Sequence, residues 1–471
     1  MSAADLGRPV MDVLLALAPE PDLGILLGAG ASAGAGLPGW DLLARRLLTL
    51  SGVVRSDEMA VRFLATQDPQ LAAEAARAST TDWDVLLQEA LYGMGGEPRP
   101  TPLHLAAASL AAGRRNGEVG ATGLFTLNFD ELIERAVEFV DADVSPFSRG
   151  AAVPRATRDQ IEVHHLHGVL SPTGPSQGVV LTLSDFTALG SEPAPWQRSA
   201  LQEQLQHGPL ILAGTSYRDP DIRQWLAQLR RDAPHPIVLL LARAGLGLDR
   251  NQYAAVQGAL IDQWEHIGVQ ALVTEDYADA AQALQEMLWS AVNGDAEYVA
   301  PNERALRLRA AHQADFATLQ QIYSDQLATD ADRLAEHLGP GANLTLWLAD
   351  GRGEATRWAS NDRVNRSPEL LFNIRPATDS DWIVGQALAR DEIVALPAPA
   401  SNSRRWQSVV AAPVVASLPG GPPLSVAALS SATTTDLDAI PQPEQDSWRG
   451  LIEEISAEWA TRLADLPQPE A

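Results

Sequence analysis

The chain has 471 residues, no cysteine, no lysine and a formal net charge of −26. Disulfides and cysteine-ligated metal are excluded, a reducing compartment fits, and nucleic acid is excluded as a main ligand because its phosphates would be repelled. The length allows two or three domains, and no apolar run reaches the roughly 20 residues that cross a bilayer, so no membrane association is expected. Val13–Ala18 is apolar but short and lacks a basic flank, so no signal peptide is expected. The alanine-rich, lysine-free composition fits a GC-rich bacterial genome, and a cytoplasmic protein is expected.

Leu23–Trp40, LGILLGAGASAGAGLPGW, sets the pattern. Leu23–Leu27 suits a buried parallel strand, glycines recur from Gly28 to Gly39, and Trp40–Leu50 has helical spacing. Such a turn brings backbone amides close to a phosphate, and the following helix offers its positive end. A plain strand-to-helix turn has the same look, because Ala33 stands where the third glycine of GxGxxG belongs. Residues 51–117 are expected to be mostly helical, with Val61, Leu71, Trp83, Leu86 and Leu91 among the core positions, as an insertion able to cover a nucleotide. Thr122–Leu127 reads as a strand, Glu131–Val140 as a helix and 141–160 as irregular. Ile161–Leu166 and Val179–Leu183 read as strands, and Pro195–Gln206 as a helix. Pro209–Ala213 is a buried strand, and Asp219 and Pro220 start a helix running to about Arg231. Ile237–Ala242 and Val269–Val273 are strands, followed by a helix over Tyr277–Trp289. The alternation predicts an α/β, Rossmann-like, doubly wound parallel sheet.

Composition shifts at Asn293–Pro301. Arg304–Leu338 shows one long helical pattern, and its apolar face either packs on its own domain or pairs with a second copy. Beyond Gly341, Asn343–Ala349, the turn Asp350–Gly353 and Ala355–Ala359 predict a hairpin. Ile383–Ala389 reads as a helix, Ile393–Ala395 as a short strand, Ser408–Val415 and Leu424–Ser430 as paired strands, and Trp448–Leu463 as a closing helix. The expected domains are 1–298 with a helical insertion at about 51–117, a connector helix over 299–340, and an α+β domain over 341–471.

Four stretches, in order, resemble the sirtuin superfamily: GAGAS with Gly36, Pro38 and Trp40; Thr126–Asp130 (TLNFD); Leu166–Gly168 (LHG); and Ala213–Ile222 (AGTSYRDPDI). The resemblance covers roughly residues 20–290. The order of elements beyond residue 341, with VGQALA, SVVAAPV and LSVAALS, resembles a GAF domain. Protein-deacylating sirtuins carry a four-cysteine zinc module, which a cysteine-free chain cannot form. The resemblance therefore implies the bacterial sirtuin-like proteins that destroy NAD as effectors of antiviral defence. It implies NAD as substrate, no metal, a homo-oligomer, and a small signalling ligand or an assembly contact at the GAF-like domain. A non-catalytic NAD or ADP-ribose sensor, and an ADP-ribosyl transferase or cyclase, are the alternatives.

Cleaving the nicotinamide–ribose bond releases a neutral base and leaves a developing sugar cation. The site must therefore hold the dinucleotide, tolerate that cation and place water or a ribose hydroxyl. Asn128 sits just past a strand end, where its amide holds the ribose or the water, or bonds its own turn. The family resemblance gives it a catalytic role. Asp130 caps the following helix, stands near the cation, or both. His167 is the candidate base. His165 shares its face if the strand continues, and orients it, substitutes for it or simply packs beside it with His164. His104 packs in a helix or lines the pocket. Gly28, Ala29, Gly30, Ser32, Gly36 and Pro38, with Gly214, Thr215 and Ser216, are expected to bind the dinucleotide. Ser32 is read as a phosphate ligand and Asp41 as a first-turn residue of its helix.

Overall fold

The computed structural model describes residues 6–20, 22–93, 97–115, 121–141, 143, 145–152, 156–157, 160–215, 220–294, 296–339, 342–398 and 406–465. Contacts divide it into two compact units, Ala16–Val273 and a second made of Met1–Leu15 with Thr274–Ala471. The division falls at 273/274, whereas the composition shifts near 293–301. Helix α1 (Arg8–Leu15) belongs to the second unit.

The first unit runs β1 (Leu23–Leu27), α2 (Ala29–Ala33), α3 (Trp40–Leu50), α4 (Asp57–Leu64), α5 (Pro69–Ala78), α6 (Trp83–Tyr92) and α7 (Pro102–Arg115). It continues with β2 (Ala121–Thr126), α8 (Leu132–Val140), β3 (Ser145–Arg149), β4 (Gln160–His165), α9 (Leu183–Ser191) and α10 (Trp196–His207). It closes with β5 (Leu210–Ala213), α11 (Pro220–Leu229), β6 (Ile237–Ala242), α12 (Arg250–Glu265) and β7 (Val269–Thr274). The seven strands lie in the order β3-β4-β2-β1-β5-β6-β7. Pairing is parallel from β3 through to β6. After β4 the chain crosses from one side of β1 to the other, so the topological switch point lies at β1, between β2 and β5. Ligands of open α/β sheets bind outside the carboxyl ends of the strands at such a point. The fold class is the one expected: a Rossmann-like, doubly wound parallel sheet with a helical insertion.

β1 and β6 are buried along their whole length, as their unbroken apolar runs require in a sheet covered on both faces. The insertion is helical, but two of its expected core positions are not. Val61 is 48% and Leu71 41% exposed, because α4 and α5 turn Ala60, Ala72, Ala73 and Ala76 inward instead. Trp83 is half-buried at the rim of the cluster that holds Leu86 and Leu91.

Three further readings are corrected. The stretch taken as irregular contains β3, an edge strand with Pro146 in it, a residue tolerated there because one side needs no partner. Val179–Leu183 is not a strand. Thr182 caps α9 through a reciprocal pair of bonds with Asp185, a capping signal that competes with the β-branched run. The glycine-rich turn also contains a short helix. It winds into α2 directly after β1, before α3 begins at Trp40.

The second unit adds α13 (Tyr277–Asn293), α14 (Pro301–Ala314), α15 (Phe316–Leu338), β8 (Asn343–Ala349), β9 (Ala355–Ser360), β10 (Asn373–Ile374) and α16 (Ile383–Arg390). It ends with β11 (Val394–Pro397), β12 (Ser408–Ala416), β13 (Leu424–Thr433) and α17 (Gln442–Ala464). Its sheet is antiparallel, in the order β10-β9-β8-β13-β12-β11. The long helix expected over Arg304–Leu338 breaks at Asp315 into α14 and α15. Phe316, Leu319, Tyr323, Leu327, Leu334 and Leu338 are all buried, and α15 packs on α17, β8 and β9. That apolar face is thus covered by its own unit. Inside this interface the Trp459 Nε1–H donates to Asp330 Oδ2 at 2.8 Å. Among the described residues no helix is long and apolar enough to cross a membrane.

Candidate active site

Four parallel strands end on the same side of the sheet, and their following loops meet. The Gly28 amide donates to the Ala213 carbonyl at 3.0 Å, and the Gly30 amide to that of Gly214 at 2.9 Å. A Cβ on Gly28 would stand 2.5 Å from the Gly214 carbonyl oxygen and the Thr215 Cα, so only glycine lets the loops after β1 and β5 approach this closely. The glycine of LHG is explained in the same way. Gly168 has φ +88°, and a Cβ there would strike the backbone of Gly178 and Val179. This left-handed turn lifts His167 off the end of β4.

Asn128 is the hub. Its Nδ2 donates to the Gly28 carbonyl at 3.0 Å and to Ser32 Oγ at 2.8 Å. A carbonyl oxygen only accepts, so the carboxamide has one orientation, and both of its N–H groups are used. Oδ1 has no partner among the described residues, and Asn128 lines a cavity. Ser32 is 3% exposed, and its hydroxyl donates to Asp130 Oδ2 at 2.8 Å. Asp130 Oδ1 accepts from the Leu132 amide at 3.2 Å, so this carboxylate tethers the start of α8 and braces Ser32 together. Burial pushes the Asp130 carboxyl up, against the hydrogen bonds from Ser32 and Leu132.

His104 completes this cluster from α7. Its Nδ1 accepts from the Thr101 amide at 3.1 Å, which leaves the hydrogen on Nε2, 3.4 Å from Ser32 Oγ. Burial pushes the His104 imidazole down to about 3, from 6.5 when unfolded. The unfolded chain thus takes up this proton first as pH falls. The stability owed to neutral His104 is complete above pH 6.5 and is lost progressively toward about pH 3. The urea midpoint is expected to fall between pH 7 and pH 5. His104→Gln, with no proton to gain, should flatten that slope by up to about 1.4 kcal/mol per pH unit. An unchanged slope would show that His104 is protonated in the fold.

A cavity of about 50 Å³ opens over this cluster, lined by Ser32, Trp40, Leu91, Asn128, Asp130 and His167 among others. His167 is 1% exposed and meets the Phe186 ring edge-on at 5.5 Å. Ala29 and Pro38 also line the cavity. Gly36 lies in the turn between α2 and α3. The Thr215 hydroxyl is buried and without a partner among the described residues, beside Gly28. Ser216 and Asp219 lie outside the described residues. Asp41 stands in the first turn of α3. His165 does not share a face with His167, because β4 ends at His165. It is fully buried against Glu134 instead, and His164 stacks on Phe125 at 4.6 Å. Sequence reading missed the parts played by Thr101 and Glu134. The local signals were spacings alone: Thr101 lies three residues before His104, and Glu134 four residues after Asp130. Among the described residues no group of three or more His, Cys, Asp or Glu side chains is arranged to hold a metal ion.

The second unit has a separate cavity of about 320 Å³ on its antiparallel sheet, walled by Trp347, Trp382 and Trp406, with Arg357, Gln386 and Ser431 at its lining. Trp347 donates from Nε1 to Ser430 Oγ at 2.9 Å.

The first unit is thus a doubly wound α/β domain with a cavity at its switch point. Residues 122–272, which include Asn128, His167 and Thr215, match the SIR2-like domain family. No curated protein matches the sequence. Among solved structures, a Sir2 homologue in complex with NAD is 15% identical over 59% of this chain and 93% of its own, with a TM-score of 0.33. A Sir2 homologue with a histidine-to-asparagine substitution, in complex with ADP-ribose, is 18% identical over 54% of this chain and 95% of its own, with a TM-score of 0.31. A putative GAF sensor protein from Burkholderia vietnamiensis is 12% identical over 34% of this chain and 91% of its own, with a TM-score of 0.22.

Proposed function

We propose that the first unit hydrolyses NAD to nicotinamide and ADP-ribose. The observation that carries this reading is the convergence of Asn128 and His167 on one cavity, beside the apposed Gly28 and Gly214 loops at the switch point. The bond from the ribose C1′ to the nicotinamide nitrogen breaks, and its electron pair leaves with a neutral base. A water oxygen bonds to C1′, and the water proton passes to His167. Asn128 Oδ1, the free acceptor of a fixed carboxamide, orients that water or a ribose hydroxyl. Asp130 stands by the developing cation, and Ser32 holds Asn128 and Asp130 in place. The backbone of Gly28–Gly30 and the Thr215 hydroxyl take the dinucleotide, with Ala29, Gly36, Pro38, Gly214 and Ser216 around it.

In this reading the chain is an NAD-depleting effector of bacterial anti-phage defence, acting in the cytoplasm. The second unit controls it, through a small ligand in its 320 Å³ cavity or through self-association. The tightness of the 50 Å³ cavity favours one other reading, a sensor that binds NAD or ADP-ribose without turnover. Transfer of ADP-ribose to another acceptor, or cyclisation, differs only in the nucleophile.

The test is to incubate the full chain with NAD, with and without cyclic nucleotides, and to quantify products by chromatography. Equimolar nicotinamide and ADP-ribose are expected. Bound, intact NAD would favour the sensor, another ADP-ribosyl product would favour transfer, and no release under any assembly condition overturns hydrolysis.

A further inference from the structure

Behind Asn128 lies a buried pair that this mechanism does not use. His165 ends β4, is fully buried, and has both ring nitrogens engaged. Nδ1 lies 3.0 Å from the main-chain carbonyl oxygen of Asn128, and Nε2 lies 2.7 Å from Glu134 Oε1. A carbonyl oxygen only accepts, so Nδ1 carries a hydrogen. Glu134 Oε1 also accepts the Ser148 hydroxyl hydrogen at 2.5 Å, as an ionised carboxylate does. An ionised Glu134 takes its second hydrogen from Nε2, and His165 is then an imidazolium. Burial disfavours charge on both partners, yet the opposite charges and their hydrogen bonds outweigh it. The His165 imidazole is held above its ordinary range and the Glu134 carboxyl below. The charged groups facing His165 are Glu134 from α8 and Asp130 from the loop, both acidic.

The stretch Leu127–Glu131 belongs to no helix or strand, so its peptide groups have to be fixed singly. The Asn128 amide donates to Thr126 Oγ1 at 3.0 Å, and the Phe129 carbonyl accepts from the Leu170 amide at 2.7 Å. The Asn128 carbonyl between them is held by His165.

We propose that the Glu134–His165 ion pair is a positioning element of this site: the imidazolium, braced by Glu134, anchors the Asn128 main-chain carbonyl and so aims the Asn128 carboxamide at the cavity. The proposal rests on the catalytic reading of Asn128, but the ion pair is testable apart from it.

His165→Phe removes the anchor while filling the space. His165→Asn keeps a donor near the position of Nδ1, and Glu134→Gln keeps the shape and removes the charge. His165→Phe is expected to lower kcat for nicotinamide release by about 30-fold or more with KM for NAD changed less than about threefold, as for a misplaced group. His165→Asn should restore most of the loss, which a merely space-filling role would not. Far-UV circular dichroism and melting confirm that each variant folds. If His165→Phe fails to fold, the comparison of His165→Asn with Glu134→Gln stands in its place, with kcat higher in the former. Imidazole nitrogen NMR of the full chain should show His165 keeping its second proton to a higher pH in the wild type than in Glu134→Gln. A neutral His165 in the wild type, or full activity in His165→Phe, overturns the proposal. An inactive wild type with a charged His165 overturns the NAD-cleaving reading and leaves the ion pair standing.

Discussion

Asn128→Ala should lower nicotinamide release by about 10²–10³-fold, the loss seen when one fixed polar group at a reacting centre is removed. Both Nδ2 hydrogens point inward, to Gly28 and Ser32, and only Oδ1 is left for a ligand. Truncation therefore removes the acceptor at the cavity and two internal bonds together. Asn128→Asp separates the two effects. It supplies an acceptor, but sets a carboxylate oxygen against the Gly28 carbonyl oxygen, where two acceptors repel. Asp should not rescue, and it should melt lower than Ala. Turnover within about threefold of wild type in either variant would remove Asn128 from the chemistry.

His167→Ala is expected to cost about 10²–10⁴-fold in rate, the usual contribution of a positioned general base. Its ring packs edge-on against Phe186 of α9, and the positive-φ turn at Gly168 holds its backbone whatever the side chain. The variant should therefore fold, with some loss of packing against Phe186. Affinity for NAD, measured by calorimetry, should change far less than the rate. A variant that binds and cleaves like the wild type would place the base elsewhere.

How far this was legible in sequence depended on the range of the interaction. β1 and β6 stood out because fully buried strands read as unbroken apolar runs, and β8 because NLTLWLA alternates. TLNFD and LHG marked the right strand ends because those motifs are local. β3 was hidden because SPFSR at a sheet edge has neither alternation nor an apolar run. α12 was hidden because only Tyr253 and Trp264 of its 16 residues are buried, which leaves no stripe. Ser32 was the instructive case. A serine in a glycine-rich turn reads as a phosphate ligand, but its partners here are Asn128, 96 positions away, and Asp130, 98 away. No spacing rule reaches that far. The same holds for Glu134, which local pattern assigns to a helix face and which three-dimensional packing turns toward His165.

Asn128, Ser32, Asp130 and His104 are tethered to one another by side-chain bonds that meet at Ser32. A cluster braced by its own bonds is preorganised, so a substitution at Ser32 or Asp130 is expected to loosen Asn128 as well.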